Sequence, residues 1–408
     1  MEDKFNASKK IENIPEALSI YMNQLVYSEK RRGIDIITLS LGEAFFDIPN
    51  FSFSEIDFVK GYHYSDSMGI PELREKILSY YNKQYDTHLS DINEIMISSG
   101  SKAIIYMVME SILNNGDEVL IHEPAWLSYQ EQAKLADAVP KFIPWHCKLE
   151  NFPNYFTDRT KLLVLNNPNN PAGWIYSKEQ LKYIYDICYE RGIYILMDEA
   201  YSDFVSEKDT FYSLASIATD LKGVFIINSL SKNMGMSGWR VGYVISHKDN
   251  IRNLLKLNQH LITCAPTVLQ LYLAHYFDDI ISVTLPQVHA AVQKRNRILA
   301  YIDSVGLAHL DGAATFYIFL KVEGLQADIL DFCLYLLFKY GISTVPGSAY
   351  GESTNKFIRV GIGVESEERI CHAIDIINMV LKQNLTDKNY VDKRLKHNGF
   401  YRFGQEGK

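Results

Sequence analysis

The chain of 408 residues lacks several features that would place it in a specialised class of protein. No apolar run approaches the roughly 20 residues that a membrane-spanning helix needs. Residues 1–15, MEDKFNASKKIENIP, are charged throughout and contain no signal-peptide core. Internal repeats and low-complexity linkers are also missing. We therefore expect a cytoplasmic protein with no membrane partner.

Cysteine is scarce, with five residues scattered along the chain and none in a CxxC or Cys/His spacing. Such a set argues against a disulfide framework and against a metal centre, and it fits a reducing compartment. The formal net charge of −8 argues against a nucleic-acid-binding surface. We expect neither a metal nor a nucleic-acid partner.

What the chain does have is an ordinary globular composition, 47% hydrophobic and 22% charged, and enough length for two packed domains. Between about residues 70 and 250, short apolar runs alternate with helical patterns. These runs are mostly continuous rather than alternating, which is typical of strands buried on both faces of a largely parallel sheet. The candidate strands are EIMISS (94–99), EVLIHE (118–123), KLLVLN (161–166), IYILMD (193–198), VFIIN (224–228) and VGYVIS (241–246).

Helical signals lie between these strands. Ser177 and Gln180 stand at capping-box spacing and predict the start of a helix, and Gly192 predicts its C-terminal end. After about residue 280, longer helical patterns surround two short strands. The sequence predicts an α/β fold with a three-layer, mostly parallel large domain (46–283) and a smaller α+β domain (284–385). An N-terminal arm (1–45) would join the smaller domain, and residues 386–408 would form a loosely ordered C-terminal tail.

Residues suited to chemistry follow the strands where each strand ends, and ligands of open α/β sheets bind at that edge. The first strand runs into Gly100, Ser101 and Lys102, which open a helix. The other strand ends carry Trp126, Asn170, Asp198 with Tyr201, and the stretch from Ser229 through Ser231 to Lys232.

These residue types suit one ligand. The helix start at Ser101, with Ser229, Ser231 and Arg240, would bind a phosphate. Trp126 could stack on a flat ring. A buried Asp198 calls for a cationic partner, such as a protonated ring nitrogen. Lys232 could form a Schiff base with an aldehyde. Phosphate, aromatic ring, basic ring nitrogen and aldehyde together describe pyridoxal 5′-phosphate.

Nine motifs spread over residues 39–363 carry a resemblance to a known family. They are LSLGEAFFDIP, YHYSDSMGIPELREKI, SSGSKAI, EPAWLSY, NNPNNPAG, MDEAYSDF, SLSKNMGMSGWRVGY, TVPGSAYG and FIRVGIG. In these motifs and in their order, the chain resembles the fold-type I pyridoxal-phosphate enzymes of the class I/II, aspartate aminotransferase-like family.

The resemblance implies a role for each matching position. Lys232 would bond to the cofactor and move the substrate proton, and Asp198 would hold the proton on the ring nitrogen. Arg359 would pair with the substrate carboxylate, with Gly42 and Asn170 beside it. The remaining implied cofactor contacts are Tyr201 and Asn170 at the ring 3-oxygen, Trp126 on the ring face, Ser101, Lys102, Ser229, Ser231 and Arg240 around the phosphate, and Tyr64 from the neighbouring subunit of a homodimer.

The implied reaction is amino transfer between an L-amino acid and a 2-oxo acid by a ping-pong mechanism. The same scaffold also supports β- or γ-elimination, racemisation and cyclisation, as in aminocyclopropane carboxylate synthases, and the cofactor-binding residues do not separate these reactions. Lys102 has two interpretations, a contact to the phosphate or solvent and a contact to a distal substrate carboxylate. A regulator with a DNA-binding head is disfavoured, because the residues before LGEA are few and not strongly basic.

Overall fold

The structure is a computed structural model and describes residues 7–206 and 210–404. The helices within these ranges are α1 Lys9–Glu12, α2 Leu18–Arg31, α3 Pro71–Tyr85, α4 Ser101–Ile112, α5 Ser128–Leu135, α6 Lys178–Arg191, α7 Lys248–Leu261, α8 Thr267–Ser304, α9 Ile329–Tyr340, α10 Glu367–Gln383 and α11 Lys388–His397. The strands are β1 Ile37–Thr38, β2 Ile95–Ser98, β3 Glu118–His122, β4 Val139–Ile143, β5 Thr160–Asn166, β6 Tyr194–Asp198, β7 Val224–Ser229, β8 Gly242–Ser246, β9 Tyr317–Lys321, β10 Ile342–Ser343, β11 Val345–Pro346 and β12 Phe357–Gly361.

A seven-stranded sheet with the order β2-β8-β7-β6-β5-β3-β4 forms the centre of the molecule. Strands β7, β6, β5, β3 and β4 are parallel to one another. Strand β8 is antiparallel to both of its neighbours, β7 and β2. All six predicted strands are present in this sheet, so the predicted mostly parallel α/β architecture is confirmed. Helices cover both faces, because the strands are apolar on both sides.

Strand β4 is the one member of this sheet that the sequence analysis did not predict. It lies at the edge, next to β3, and its side chains alternate between exposed and partly buried positions until the buried Ile143. Pro140 stands inside it, and an edge strand tolerates proline because one side needs no hydrogen-bond donor. The short, half-exposed pattern therefore gave no apolar run to detect.

Helix α6 shows why the local capping signals were informative. The Ser177 hydroxyl accepts from the backbone N–H of Gln180, and the Gln180 side chain accepts from the backbone N–H of Ser177. The helix ends at Gly192, whose φ of 66° lies in the left-handed region that glycine adopts without strain. The capping box and the glycine stop are both confirmed.

The apolar side chains form two clusters on the large sheet, which together make the large-sheet core, and another core around a smaller sheet with the order β11-β12-β9. The core around the smaller sheet also includes side chains of α2, α9, α10 and the C-terminal half of α8. Helix α8 connects the two cores, because Ile280 packs on the large-sheet side and Val288 on the other. The predicted boundary at residue 283 falls inside this helix and stays a prediction.

The C-terminal segment differs from the expected loosely ordered tail. Residues 388–397 form helix α11, and its Val391 and Leu395 are buried in the same core as α2. Two apolar residues four positions apart were too weak a pattern to predict a helix, but they suffice once a core is there to receive them. Within residues 7–206 and 210–404, no helix is both long and apolar enough to cross a membrane.

Candidate active site

A cavity of about 550 Å³ opens at the carboxyl ends of the central strands. Its wall includes twelve of the thirteen residues that the sequence analysis predicted as site residues. They are Gly42, Ser101, Lys102, Trp126, Asn170, Asp198, Tyr201, Ser229, Ser231, Lys232, Arg240 and Arg359. Parallel strands end at one edge of a sheet, so residues far apart in the chain converge there.

Asp198 is the last residue of β6 and lies buried in the cavity wall. Its Oδ1 accepts the backbone N–H of Ala200 at 3.0 Å, and its Oδ2 accepts the Tyr129 hydroxyl at 2.6 Å. Burial raises the pKa of this carboxyl group, and the Tyr129 hydrogen bond and the charge of Lys232 act in the opposite direction. A cation placed next to Asp198 would therefore stabilise its ionised form further.

Lys232 lies just after β7, in the loop that follows Ser229. Its Nζ donates to the carbonyl oxygen of Gly42 at 2.6 Å and lies 5.5 Å from the centre of the Tyr201 ring. A Cβ added to Gly42 would lie 3.3 Å from the Tyr317 hydroxyl. Glycine at this position therefore lets the backbone come close to both the amine and the phenol.

Another part of the cavity wall is built to receive an anion. Helix α4 begins there, and the N-cap residue Gly100 has a φ of +84°. A side chain at this glycine would meet Arg240, because its Cβ would lie 2.5 Å from Nη2. The guanidinium therefore lies against the helix N-terminus, and two sources of positive potential add up at one point. Burial and then the neighbouring Arg240 lower the pKa of Lys102, whose Nζ lies 5.0 Å from the centre of the Trp126 ring.

Arg359, on β12, supplies a buried cation to the cavity wall. Its Nη2 donates to the carbonyl oxygen of Ser40 at 2.8 Å, and its Nη1 donates to Asn170 Oδ1 at 3.3 Å. The buried Nε has no hydrogen-bond partner among the described residues. The guanidinium carbon also lies 4.4 Å from the centre of the Tyr317 ring. A buried guanidinium with donors to spare is suited to a carboxylate, since two parallel hydrogen bonds can form.

Tyr64 is the predicted residue that this chain does not bring to the cavity. Its side chain is 85% exposed. It lines a second hollow, of about 710 Å³, together with Tyr62, Leu261 and Pro266.

The sequence analysis assigned no role to two buried phenols and to helix α2. Tyr129 bonds to Asp198, and the Tyr317 hydroxyl lies 3.0 Å from that of Tyr201. Helix α2 brings Ser19, Ile20 and Asn23 to the cavity wall. Tyr129 stands in the quoted motif EPAWLSY and could have been weighed there, whereas nothing local in the sequence of α2 connects it with a site.

Comparisons with known proteins agree with this geometry. The family model described as "Aminotransferase class I and II" matches residues 47–377. A probable aspartate/prephenate aminotransferase of Aquifex aeolicus is 32% identical, with 87% of this chain and 93% of the relative covered. A (5-formylfuran-3-yl)methyl phosphate transaminase of Methanocaldococcus jannaschii is 30% identical, with 92% and 100% covered.

The fold is likewise that of solved aminotransferases. The crystal structure of an aspartate aminotransferase from Thermotoga maritima superposes with a TM-score of 0.83 at 27% identity, over 92% of this chain and all of that chain. Fold and sequence together define a transaminating enzyme. The chain belongs to the class I and II aminotransferase family.

Proposed function

We propose that this aminotransferase binds pyridoxal 5′-phosphate in the cavity and uses it to move an amino group from an L-amino acid to a 2-oxo acid. The observation that carries the proposal is the meeting of Lys232 and Asp198 in one cavity, whose wall also holds the anion site at α4 and the buried guanidinium of Arg359. Amino acids and 2-oxo acids are the substrates of aminotransferases.

The residues present fit this cofactor. A phosphate would bind at the N-terminus of α4 with Ser101, Ser229, Ser231 and Arg240. Trp126 would cover one face of the ring, and Tyr201 with Asn170 would lie at its 3-oxygen. Burial of Asp198 in a wall that offers it only partial compensation suits a protonated ring nitrogen. The donor set therefore matches an anion, a flat ring and a cationic nitrogen in one ligand.

The cofactor, when bound, supplies an aldehyde that joins the substrate amine and a ring that accepts the electrons released at the substrate Cα. Asp198 maintains the charge on the ring nitrogen, and Tyr129 fixes the orientation of that carboxylate through its hydrogen bond. Tyr129 stays a donor, because burial and the nearby Asp198 raise its pKa well above the usual value.

Lys232 is the group that would take the proton from the substrate Cα and deliver it to the cofactor carbon that had carried the aldehyde. Its Nζ lies free of any carboxylate contact among the described side chains and is held by one carbonyl oxygen, that of Gly42. Arg359 would bind the substrate carboxylate and, with Asn170, hold the Cα–H bond in a fixed direction. Orientation of the substrate and transfer of its proton then come from different residues.

A half-reaction tests the function. The purified holoenzyme is mixed with a panel of single L-amino acids and no acceptor, and the cofactor absorbance and products are measured. We expect stoichiometric conversion to pyridoxamine phosphate and one equivalent of 2-oxo acid, and 2-oxoglutarate should restore the starting spectrum. Repeated release of ammonia, or return to the starting spectrum without an acceptor, would assign the enzyme to elimination chemistry instead.

We also propose a homodimer in which Tyr64 reaches the phosphate of the neighbouring subunit. Apolar side chains around it, including Val59 (67% exposed), Tyr62 and Leu261, form an exposed patch of the kind that marks an interface. Ser99, which lines the same hollow as Tyr64, is adjacent in sequence to the Gly100 of the anion site. A partner subunit would cover this patch.

Complementation between two inactive variants tests the shared site. Lys232→Ala and Tyr64→Ala subunits, co-expressed with different tags, are purified as the mixed dimer. Because one site of that dimer has both wild-type residues, we expect about half of the wild-type activity per dimer. A mixed dimer as inactive as its parents, or a monomer by light scattering, would refute the shared site.

A further inference from the structure

Helix α2 forms part of the cavity wall. Ser19, Ile20 and Asn23 lie in the cavity wall. Asn23 Oδ1 accepts the hydroxyl of Ser40 at 3.0 Å, and the carbonyl oxygen of Ser40 accepts Arg359 Nη2 at 2.8 Å. The position of α2 is thus connected, through one serine, to the guanidinium that would bind the substrate carboxylate.

The other side of α2 is held by residues 388–404, which we name the C-terminal clamp. The contact centres on Glu29, a carboxylate of α2 that is only 1% exposed. Its Oε2 accepts Arg394 Nη2 at 2.7 Å, and its Oε1 accepts the side-chain amide of Asn398. Arg32 lies 3.8 Å from the same carboxylate. A buried charge this well paired fixes the two segments relative to each other.

A second contact lies about two helical turns away, towards the N-terminus of α2. The Tyr21 hydroxyl donates to the carbonyl oxygen of Tyr401 at 2.7 Å, and its ring packs on Phe400 and Phe403 with ring centres 6.5 and 5.5 Å apart. Tyr21 directly follows Ile20, which lines the cavity, and its own side chain is buried in the core against which α2 packs. The clamp therefore contacts α2 along most of its length.

The clamp is itself fixed to the smaller sheet's core and not only to α2. Val391 and Leu395 are buried there, and Arg402 pairs with Asp331 of α9 and with Asp392. The clamp lies outside the part of the chain that the family model matches, residues 47–377. Helix α2 also precedes that part.

We propose that the C-terminal clamp is a positioning element for substrate binding: it fixes α2, and through Asn23 and Ser40 it fixes Arg359. The inference rests on the proposed function, in which Arg359 binds the substrate carboxylate. Arg359 gains most from a carboxylate when its direction is set in advance, since two parallel hydrogen bonds need a defined geometry. Loosening the clamp should weaken binding of the amino acid without altering the proton transfer at Lys232.

The test compares three arginine variants of the full-length holoenzyme. Arg394→Met removes the charged contact to Glu29 and keeps the side-chain stem, and Arg394→Lys restores a cation. Arg297→Met is the matched control, because Arg297 forms an Arg–Glu pair of 2.9 Å with Glu367 between α8 and α10 and, among the described residues, has no hydrogen bond or ion pair with α2. Steady-state kinetics and hydrogen exchange of the backbone amides of residues 18–31 are measured for each.

For Arg394→Met we expect KM for the amino acid to rise about tenfold, equal to about 1.4 kcal/mol, together with faster exchange in α2. Its kcat should stay within about twofold of the wild type, because the reacting groups are untouched. Arg394→Lys should recover most of the KM, and Arg297→Met should resemble the wild type. Tyr21→Phe should give a smaller rise in KM of the same kind and is the fallback where Arg394→Met does not fold.

Unchanged KM in folded Arg394→Met and Tyr21→Phe, or a fall in kcat with KM unchanged, would overturn the clamp's role. An equal effect of Arg297→Met would show a general loss of stability instead and would also overturn it. These results differ from a failure of the proposed function, in which the wild-type enzyme itself would show no amino transfer with any donor.

Discussion

The two sides of the cavity are built in different ways. We call the strand-end side, with Asp198, Ser229, Lys232 and the start of α4, the cofactor side. The side with α2, Ser40, Tyr317 and Arg359 is the substrate side. The cofactor-side residues lie at or just beyond the ends of β2, β6 and β7. The substrate side brings together residues more than 300 positions apart, as in the contact of Arg359 with Ser40.

This difference separates what is local from what depends on packing. On the cofactor side, the sheet fixes the position of each group once the strand forms. On the substrate side, the N-terminal helix, the smaller sheet and the C-terminal clamp must all pack before Arg359 has its partners. Changes on the cofactor side should therefore affect the chemical step most, and changes on the substrate side should affect binding.

The largest effect is expected from Lys232→Ala on the cofactor side. The fold should persist, because the side chain is only partly buried and bonds to a single carbonyl oxygen. Turnover should fall by at least about 10⁴-fold, since the proton acceptor and covalent partner are both lost. Circular dichroism would confirm the fold, and full turnover in the folded variant would remove Lys232 from the mechanism.

A smaller effect, on substrate binding and not on turnover, is expected from Arg359→Lys on the substrate side. Lysine keeps the charge but cannot form two parallel hydrogen bonds with a carboxylate. KM for the amino acid should rise by about 10- to 100-fold, the loss of one charge-assisted hydrogen bond. Saturation kinetics with one donor would measure it, and an unchanged KM would break the proposed division between the two sides.

The smallest effect is expected from Tyr129→Phe, which changes the cofactor side without removing a reacting group. The Tyr129 hydrogen bond lowers the pKa of Asp198, against the stronger effect of burial. Without this hydrogen bond the pKa of Asp198 rises, so the carboxylate becomes protonated at a higher pH. The acid limb of the pH–rate profile therefore moves to higher pH. We expect kcat at neutral pH to fall by about tenfold or less.

Tyr317→Phe is the control for that profile, because Tyr317 lies beside Tyr201 and Arg359 and is not bonded to Asp198. Its acid limb should coincide with that of the wild type. An acid limb that moves downward in Tyr129→Phe, or moves equally in both variants, would contradict the assigned link between Tyr129 and Asp198.

The same difference between the two sides decides how much could be predicted from the sequence. The continuous apolar strands β5, β6 and β7 predicted the sheet, and each strand end predicted a residue of the cavity wall. Arg359 came only from the resemblance of FIRVGIG, because nothing local to β12 indicates that its neighbours are Ser40 and Asn170. Helix α2 carried no signal at all, since its contacts with Ser40 and the C-terminal clamp arise only on packing.

The central claim is that the amine of Lys232 and the carboxylate of Asp198 bind one molecule of pyridoxal 5′-phosphate. Borohydride reduction of the holoenzyme, followed by peptide mass spectrometry, tests it most directly, because reduction makes the bond between the lysine and the cofactor permanent. We predict a phosphopyridoxyl group on Lys232 of the wild-type enzyme, and a weaker label on Lys232 when Asp198→Asn is treated in the same way at the same cofactor concentration. A label on Lys102 or another lysine of the wild-type enzyme, or no label with cofactor bound, would contradict the account.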